Sequence, residues 1–124
     1  MILKDSLFTV IDKHIETIRA EITVALNARH PIYAGHFPTD PITPGVCVTQ
    51  IAVELCEMLF HQKLELTGAK SIKFLNLIRP SEHSQVTYEL DWRLMEGSYL
   101  LKVVVRSADT IFAKCSLQLT IISE

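Results

Sequence analysis

Aromatic side chains are scarce in this sequence, 7% of 124 residues, and so is charge of one sign, the formal net charge being −2. The first scarcity leaves a core to be built from aliphatic side chains; hydrophobic residues make up 48% of the chain, enough for a packed domain and too many for a disordered one. The second argues against nucleic acid or an anionic membrane surface as the main partner. Three scattered cysteines, Cys47, Cys56 and Cys115, give neither a disulfide framework nor a zinc spacing, so they are expected to be reduced and mostly buried. There is no glycine-rich phosphate loop and no Gly-x-Ser-x-Gly elbow, and no metal or cofactor is called for. No apolar run reaches membrane-spanning length, and Met1-Ile2-Leu3-Lys4-Asp5 lacks the long apolar run of a signal peptide. The expectation is a soluble cytoplasmic protein. No repeat, low-complexity tract or linker interrupts it, so residues 1–124 are expected to form one domain.

What is present is periodicity. Ile18, Ala20, Ile22, Val24 and Leu26 fall at period two, which predicts a strand with one buried face. A bend near Glu16-Thr17 divides the stretch from Leu7 to Leu26 into two strands. Residues 27–45 hold four of the five prolines, Pro31, Pro38, Pro41 and Pro44, which predicts a rigid loop without regular helix. From Val46 to about Gln62, apolar residues cover most of a helical circumference, so this helix should be buried. Its polar residues Gln50, Glu54, Glu57 and His61 lie on one stripe, and Thr43 is placed to help cap it. Strands follow over Lys70–Leu77, Gln85–Leu94, Tyr99–Arg106 and Ile111–Ile122, with a hairpin turn at Glu96-Gly97-Ser98. This order describes an α+β fold, an antiparallel sheet of five to six strands curled around one long buried helix. Parts of the helix and loop left uncovered by the sheet call for a partner, so a dimer is expected.

The string Gly35-His36-Phe37-Pro38-Thr39-Asp40-Pro41-Ile42-Thr43-Pro44-Gly45-Val46 resembles the signature of bacterial 3-hydroxyacyl-acyl carrier protein dehydratases, which have the hot-dog fold. Ile72-Lys73-Phe74 through Ile78-Arg79-Pro80 falls where that family has its third strand and an Arg-Pro turn. The resemblance implies removal of water from a 3-hydroxyacyl thioester to give a trans-2-enoyl thioester. It implies an acyl carrier protein or acyl-thioester partner, and a homodimer or a dimer-of-dimers or trimer-of-dimers built from it. His36 would then be the base that takes the C2 proton, a task suited to imidazole at neutral pH. Phe37 and Pro38 would help bind the substrate. Backbone N–H groups of Gly45 and Val46, at the helix start, would stabilise the charge on the thioester oxygen.

The family places a carboxylic acid fourteen residues after this histidine, facing the histidine of the other subunit; here that position is Gln50. An amide has no dissociable proton, so Gln50 can hold a hydroxyl or a water but cannot act as general acid. Glu54, one turn along, is the alternative acid, displaced by about 5–6 Å. The bland alternative puts Glu54 and Glu57 in a polar seam at a dimer contact or at a solvated end. A related subunit supplying a carboxylate to a heterodimer is another. Two further readings stand beside the dehydratase: a hot-dog thioesterase depending more on Glu54, and a non-catalytic acyl-binding or partner subunit. Cys47, at the helix start, reads as a small apolar filler before it reads as a nucleophile. His14, His30, His61 and His83 read as surface or capping groups, and Lys63, Lys70, Lys73, Arg79 and Arg106 as solvated charges available to an acidic carrier.

Overall fold

A computed structural model describes residues 2–35 and 40–123. Alternating apolar residues build its strands as expected. β1 (Phe8–Ile15) and β2 (Arg19–Leu26) form a hairpin whose turn, at Glu16-Thr17-Ile18, is closed by the Glu16 N–H donating to the Arg19 carbonyl at 2.8 Å. β2 buries Ala20, Ile22, Val24 and Leu26, four of the five residues of the period-two set; Ile18, the fifth, lies in the turn and is half exposed.

The proline-rich stretch contains one turn of helix, α1 (Pro31–Ala34), which corrects the expectation of no helix there. Pro31 stands in the first turn, where no N–H is needed from it, and the Ile32 N–H is capped by His30 Nδ1 at 3.0 Å. The long helix is α2 (Gly45–Phe60). It starts one residue before the expected Val46 and ends short of Gln62, where His61 turns left-handed with φ 53°. The expected cap is also corrected. Pro44 is the N-cap and has no side chain to offer, while Thr43 Oγ1 bonds to the Tyr33 hydroxyl at 2.9 Å.

β3 (Lys63–Phe74) begins earlier than the expected Lys70. Irregular registers between Leu66 and Gly68 and between Ala69 and Ser71 break the alternation that would have marked its first half. β4 (Gln85–Met95), β5 (Ser98–Ser107) and β6 (Thr110–Ser123) complete a meander. The β4–β5 turn is the expected one, with Glu96 and Gly97 both at positive φ, 52° and 80°. That pair of angles matches the right-handed twist of the flanking strands.

The six strands form one antiparallel sheet in the order β1-β2-β4-β5-β6-β3. α2 lies on the inner face. Its Val48, Ile51, Ala52, Leu55 and Cys56 join Tyr88, Leu90, Leu101, Val103 and Leu119 in one core. Tyr88, buried on β4, donates its hydroxyl hydrogen to the Val48 carbonyl at 2.8 Å and ties helix to sheet. The outer face carries cross-strand polar pairs instead: Arg19 with Asp91, Thr23 with Thr87, and Arg106 with both Glu21 and Glu89. β1 and β3 are the sheet edges, and on β3 only Leu64 is buried. No helix among the described residues is long and apolar enough to cross a membrane.

Candidate active site

The start of α2 provides the first element of the site. The Cys47 and Val48 N–H groups both donate to the Pro44 carbonyl, at 2.9 and 3.1 Å. The Gly45 and Val46 N–H groups have no acceptor among the described residues. They are the two amides named from the sequence, and Val46 is three-quarters exposed. A helix start with free N–H groups favours an anionic oxygen beside it. What lies over Gly45 was not legible in the sequence. A Cβ there would meet Phe74 Cζ at 2.7 Å, so the phenyl ring at the end of β3 packs against the glycine backbone. Glycine permits that close approach; a larger residue would push the half-exposed Phe74 ring aside.

His36, Phe37 and Pro38 lie outside the described residues. The chain on either side is anchored. Before it, Tyr33 is buried and bonded to Thr43; after it, Asp40 pairs with Arg79 at 3.0 Å and the Thr43 N–H donates to the Ile78 carbonyl at 2.9 Å. The Arg79-Pro80 turn is thus tied to the segment that follows His36. Burial raises the Tyr33 hydroxyl above its ordinary pKa, against a smaller lowering by the bond with Thr43, so it is held as a neutral phenol.

The structure brings Gln50 and Glu54 together. Gln50 Nε2 donates to Glu54 Oε2 at 2.9 Å. Glu54 is fully buried, which corrects the reading of a solvated end. Its oxygens also accept from two backbone N–H groups of the N-terminal segment: Leu3 at 2.9 and 3.0 Å, and Lys4 at 2.8 Å. A residue on the helix stripe is therefore the anchor of a strap fifty residues away in the chain, which periodicity does not reveal. Further along the stripe, Glu57 accepts from the Leu64 N–H at 3.0 Å and His61 ends the helix. Gln50 opens on a concavity of about 440 Å³ lined by Ile2, Val53, Glu57, Leu64 and Leu66, beside the free edge of β3. A larger one, about 900 Å³, crosses the outer face of the sheet near Lys70, Asp91, Arg93 and Lys102. It shares no residue with the α2 start or with the Gln50–Glu54 pair, so it does not belong to this site.

The remaining candidates take structural places. All three cysteines are free and buried. Burial raises the Cys47 thiol above its ordinary pKa, so the helix start does not make it a thiolate nucleophile. The His83 ring meets Phe112 edge to face at a centroid distance of 5.1 Å, and its Nδ1 has no hydrogen-bond partner among the described residues. No group of three or more metal-ligating side chains occurs among the described residues.

A family model described as ApeI-like, ApeI dehydratase, matches residues 12–116. A 3-hydroxyacyl-[acyl-carrier-protein] dehydratase of Deinococcus radiodurans is 25% identical over 93 residues, covering 68% of this chain and 64% of that protein. An uncharacterized thioester dehydrase of Halalkalibacterium halodurans is 29% identical over 119 residues, covering 88% of this chain and 76% of that one. Among solved structures, the dehydratase heterocomplex ApeI:P from Xenorhabdus doucetiae has a similar fold, with TM-score 0.73 and 17% identity over 90% of this chain and 96% of that one. The sheet wrapped on α2 is thus a hot-dog fold. With the family model spanning the Gly-His-Phe-Pro loop, the whole of α2, four of the six strands in full and half of each of the other two, the chain belongs to the ApeI-like dehydratase family.

Proposed function

We propose that the chain dehydrates a 3-hydroxyacyl thioester, carried by an acyl carrier protein, to the trans-2-enoyl thioester. The observation that carries this reading is the pair of amides at Gly45 and Val46 that have no acceptor among the described residues. They sit ten residues or fewer after His36 in the chain, at the start of a buried helix. As His36 takes the C2 proton, electrons move toward the thioester oxygen, and these two N–H groups answer the charge that develops there. The C3–O bond then breaks as the C2–C3 double bond forms. Gln50 holds the hydroxyl but has no proton to give. The imidazolium formed on His36 supplies it, so one ring moves a single proton from C2 to the departing water. Release of the enoyl product, followed by the ultraviolet absorbance of the conjugated thioester, tests the activity. No product from any chain length of 3-hydroxyacyl thioester overturns it.

Hydrolysis of the thioester is the weaker reading. It needs a carboxylate open to water, and the Glu54 carboxylate is sealed behind Leu3, Lys4 and Gln50. A partner-subunit role has a specific observation behind it, the amide at position 50. Under that role the isolated chain is silent, and turnover appears when a paralogue bearing a carboxylate at the matching position is mixed in. Mixing that leaves an already active chain unchanged removes this second reading.

We further propose that the chain pairs through β3. That strand is an edge with exposed Leu66, Ile72 and Phe74 along it, an arrangement that a monomer in water would have reason to avoid. A second copy added antiparallel at this edge would extend the sheet and bring the partner close to the concavity beside Gln50. Ile72→Lys is expected to shift the protein toward monomer in size-exclusion chromatography coupled to light scattering, and to lower activity with it. A dimer unchanged by the lysine would place the contact elsewhere.

A further inference from the structure

The Glu54 carboxylate is an unusual group to bury. It is 0% exposed, and no Lys, Arg or His side chain among the described residues pairs with it. An ionised carboxylate taken out of water without a counter-ion has to be met by hydrogen-bond donors. Three donors meet it here, through four contacts: the Leu3 N–H to both oxygens, the Lys4 N–H to Oε1, and Gln50 Nε2 to Oε2. Two of these donors are backbone groups and cannot turn round. The third belongs to an amide that could, in principle, present either end.

It does not have that choice beside a carboxylate. An ionised carboxylate only accepts. Turned over, the Gln50 amide would set its own oxygen about 3 Å from Oε2, lone pair against lone pair, and leave Oε2 short of a donor. The Gln50 nitrogen is therefore bound inward through one of its two hydrogens, which fixes the oxygen as the acceptor that Gln50 offers beside the concavity it lines.

We infer that Glu54 is a positioning residue: it fixes Gln50 as a hydrogen-bond acceptor toward the acyl chain, so that the site selects a thioester with a hydroxyl at C3 over one with a ketone there. This rests on the reading of Gln50 as part of the acyl-thioester site. A 3-hydroxyl donates a hydrogen to the Gln50 oxygen. A 3-oxo group brings only lone pairs to it, so the acceptor is buried unsatisfied in that complex. One neutral hydrogen bond of this kind is worth about tenfold in affinity.

The same geometry predicts how to invert the preference. In Glu54→Gln, the new amide oxygen takes the place of Oε1 and keeps both the Leu3 and Lys4 N–H groups, at contacts now 2.9 and 2.8 Å. Its nitrogen takes the place of Oε2, gives up the 3.0 Å contact with the Leu3 N–H, and donates toward Gln50. Gln50 turns over to accept, and its nitrogen faces outward. The strap keeps its two bonds to the position of Oε1 and loses the one to Oε2, while the polarity offered to the substrate changes sign.

The experiment measures binding of a 3-hydroxyacyl and a 3-oxoacyl pantetheine thioester of the same chain length by calorimetry, every protein carrying His36→Ala so that the hydroxy compound is not turned over during the titration, and wild type meaning unchanged at positions 50 and 54. The wild type is expected to favour the hydroxy compound about tenfold, Gln50→Ala to bind both nearly equally, and Glu54→Gln to favour the oxo compound. A purely structural role for Glu54 would change affinity for both compounds alike and leave their ratio where it was. A wild-type ratio near one, or a wild-type preference retained in Glu54→Gln, overturns the inference while leaving the acyl-thioester reading intact. Binding of neither compound to the wild type overturns both. Should Glu54→Gln fail to fold by circular dichroism, the comparison of wild type with Gln50→Ala decides: an equal ratio in the two sinks the inference.

Discussion

Replacing His36 with alanine is expected to lower kcat for dehydration by about 10²–10⁴ while leaving the melting temperature close to that of the wild type. The size of the loss follows from the position-50 amide. Where a carboxylic acid shares the proton transfers, losing the histidine removes one of two groups. Here the same imidazole both takes the C2 proton and returns it to the leaving hydroxyl, so alanine removes both steps. The residual rate is what the Gly45 and Val46 amides and substrate positioning supply by themselves. Stability should hold because the anchors around the loop do not use the His36 side chain: Tyr33 with Thr43, Thr43 with Ile78, and Asp40 with Arg79. Free imidazole added to the alanine variant is expected to restore part of the rate, since it can enter the space the side chain leaves. Full activity in the variant, with the enoyl product identified by mass, sinks the proposed mechanism.

The legible parts of this fold are those where local period and burial agree. β2 and β4 carry apolar residues at alternate positions because one face of each meets α2 and the other meets water, and Tyr88 and Ile22 sit in the core accordingly. α2 was legible for the same reason: apolar on most sides, it had to be enclosed. β3 was legible only in its second half. It is an edge strand with bulges, so neither face keeps a consistent pattern, and Lys63–Ala69 shows little alternation. α1 was hidden because prolines argue against helix everywhere but in a first turn, which is where Pro31 stands. At the site, Gly45, Val46 and Gln50 were named from the resemblance of the loop and helix start to the dehydratase signature. Phe74 over Gly45, and Leu3 and Lys4 on Glu54, were not. Those contacts join segments far apart in the chain, through backbone N–H groups that every residue has, and no residue type announces them.

Gln50→Glu is expected to raise the dehydration rate by tenfold or more, a share of the about 10²–10⁴ that a general acid contributes, and to make stability newly sensitive to alkali. The glutamate would stand where the Gln50 amide now lies, 2.9 Å from Glu54 Oε2. Two carboxylates at that separation, one of them fully buried, cannot both ionise cheaply, so the pair keeps one proton between them at neutral pH. The Leu3 and Lys4 N–H groups serve an anion at position 54, which leaves the proton on position 50, the residue that lines the concavity. The variant then has a protonated carboxyl to give to the leaving hydroxyl, and His36 need only take the C2 proton. The sign of the pH effect follows. A carboxyl that stays protonated in the fold to higher pH than the ordinary glutamate value of about 4.3 gives stability that is full below that value and is lost as pH rises through the pair's own titration. The variant should therefore lose both its added rate and part of its melting temperature on the alkaline side, where the wild type, with an amide at position 50, loses neither for this reason. Profiles of kcat and of melting temperature against pH, measured on both proteins, check the two effects together. A folded variant with an unchanged or lower rate at every pH would mean that the amide at position 50 is not standing in for a lost acid, and that its bond to Glu54 serves the site in its own right.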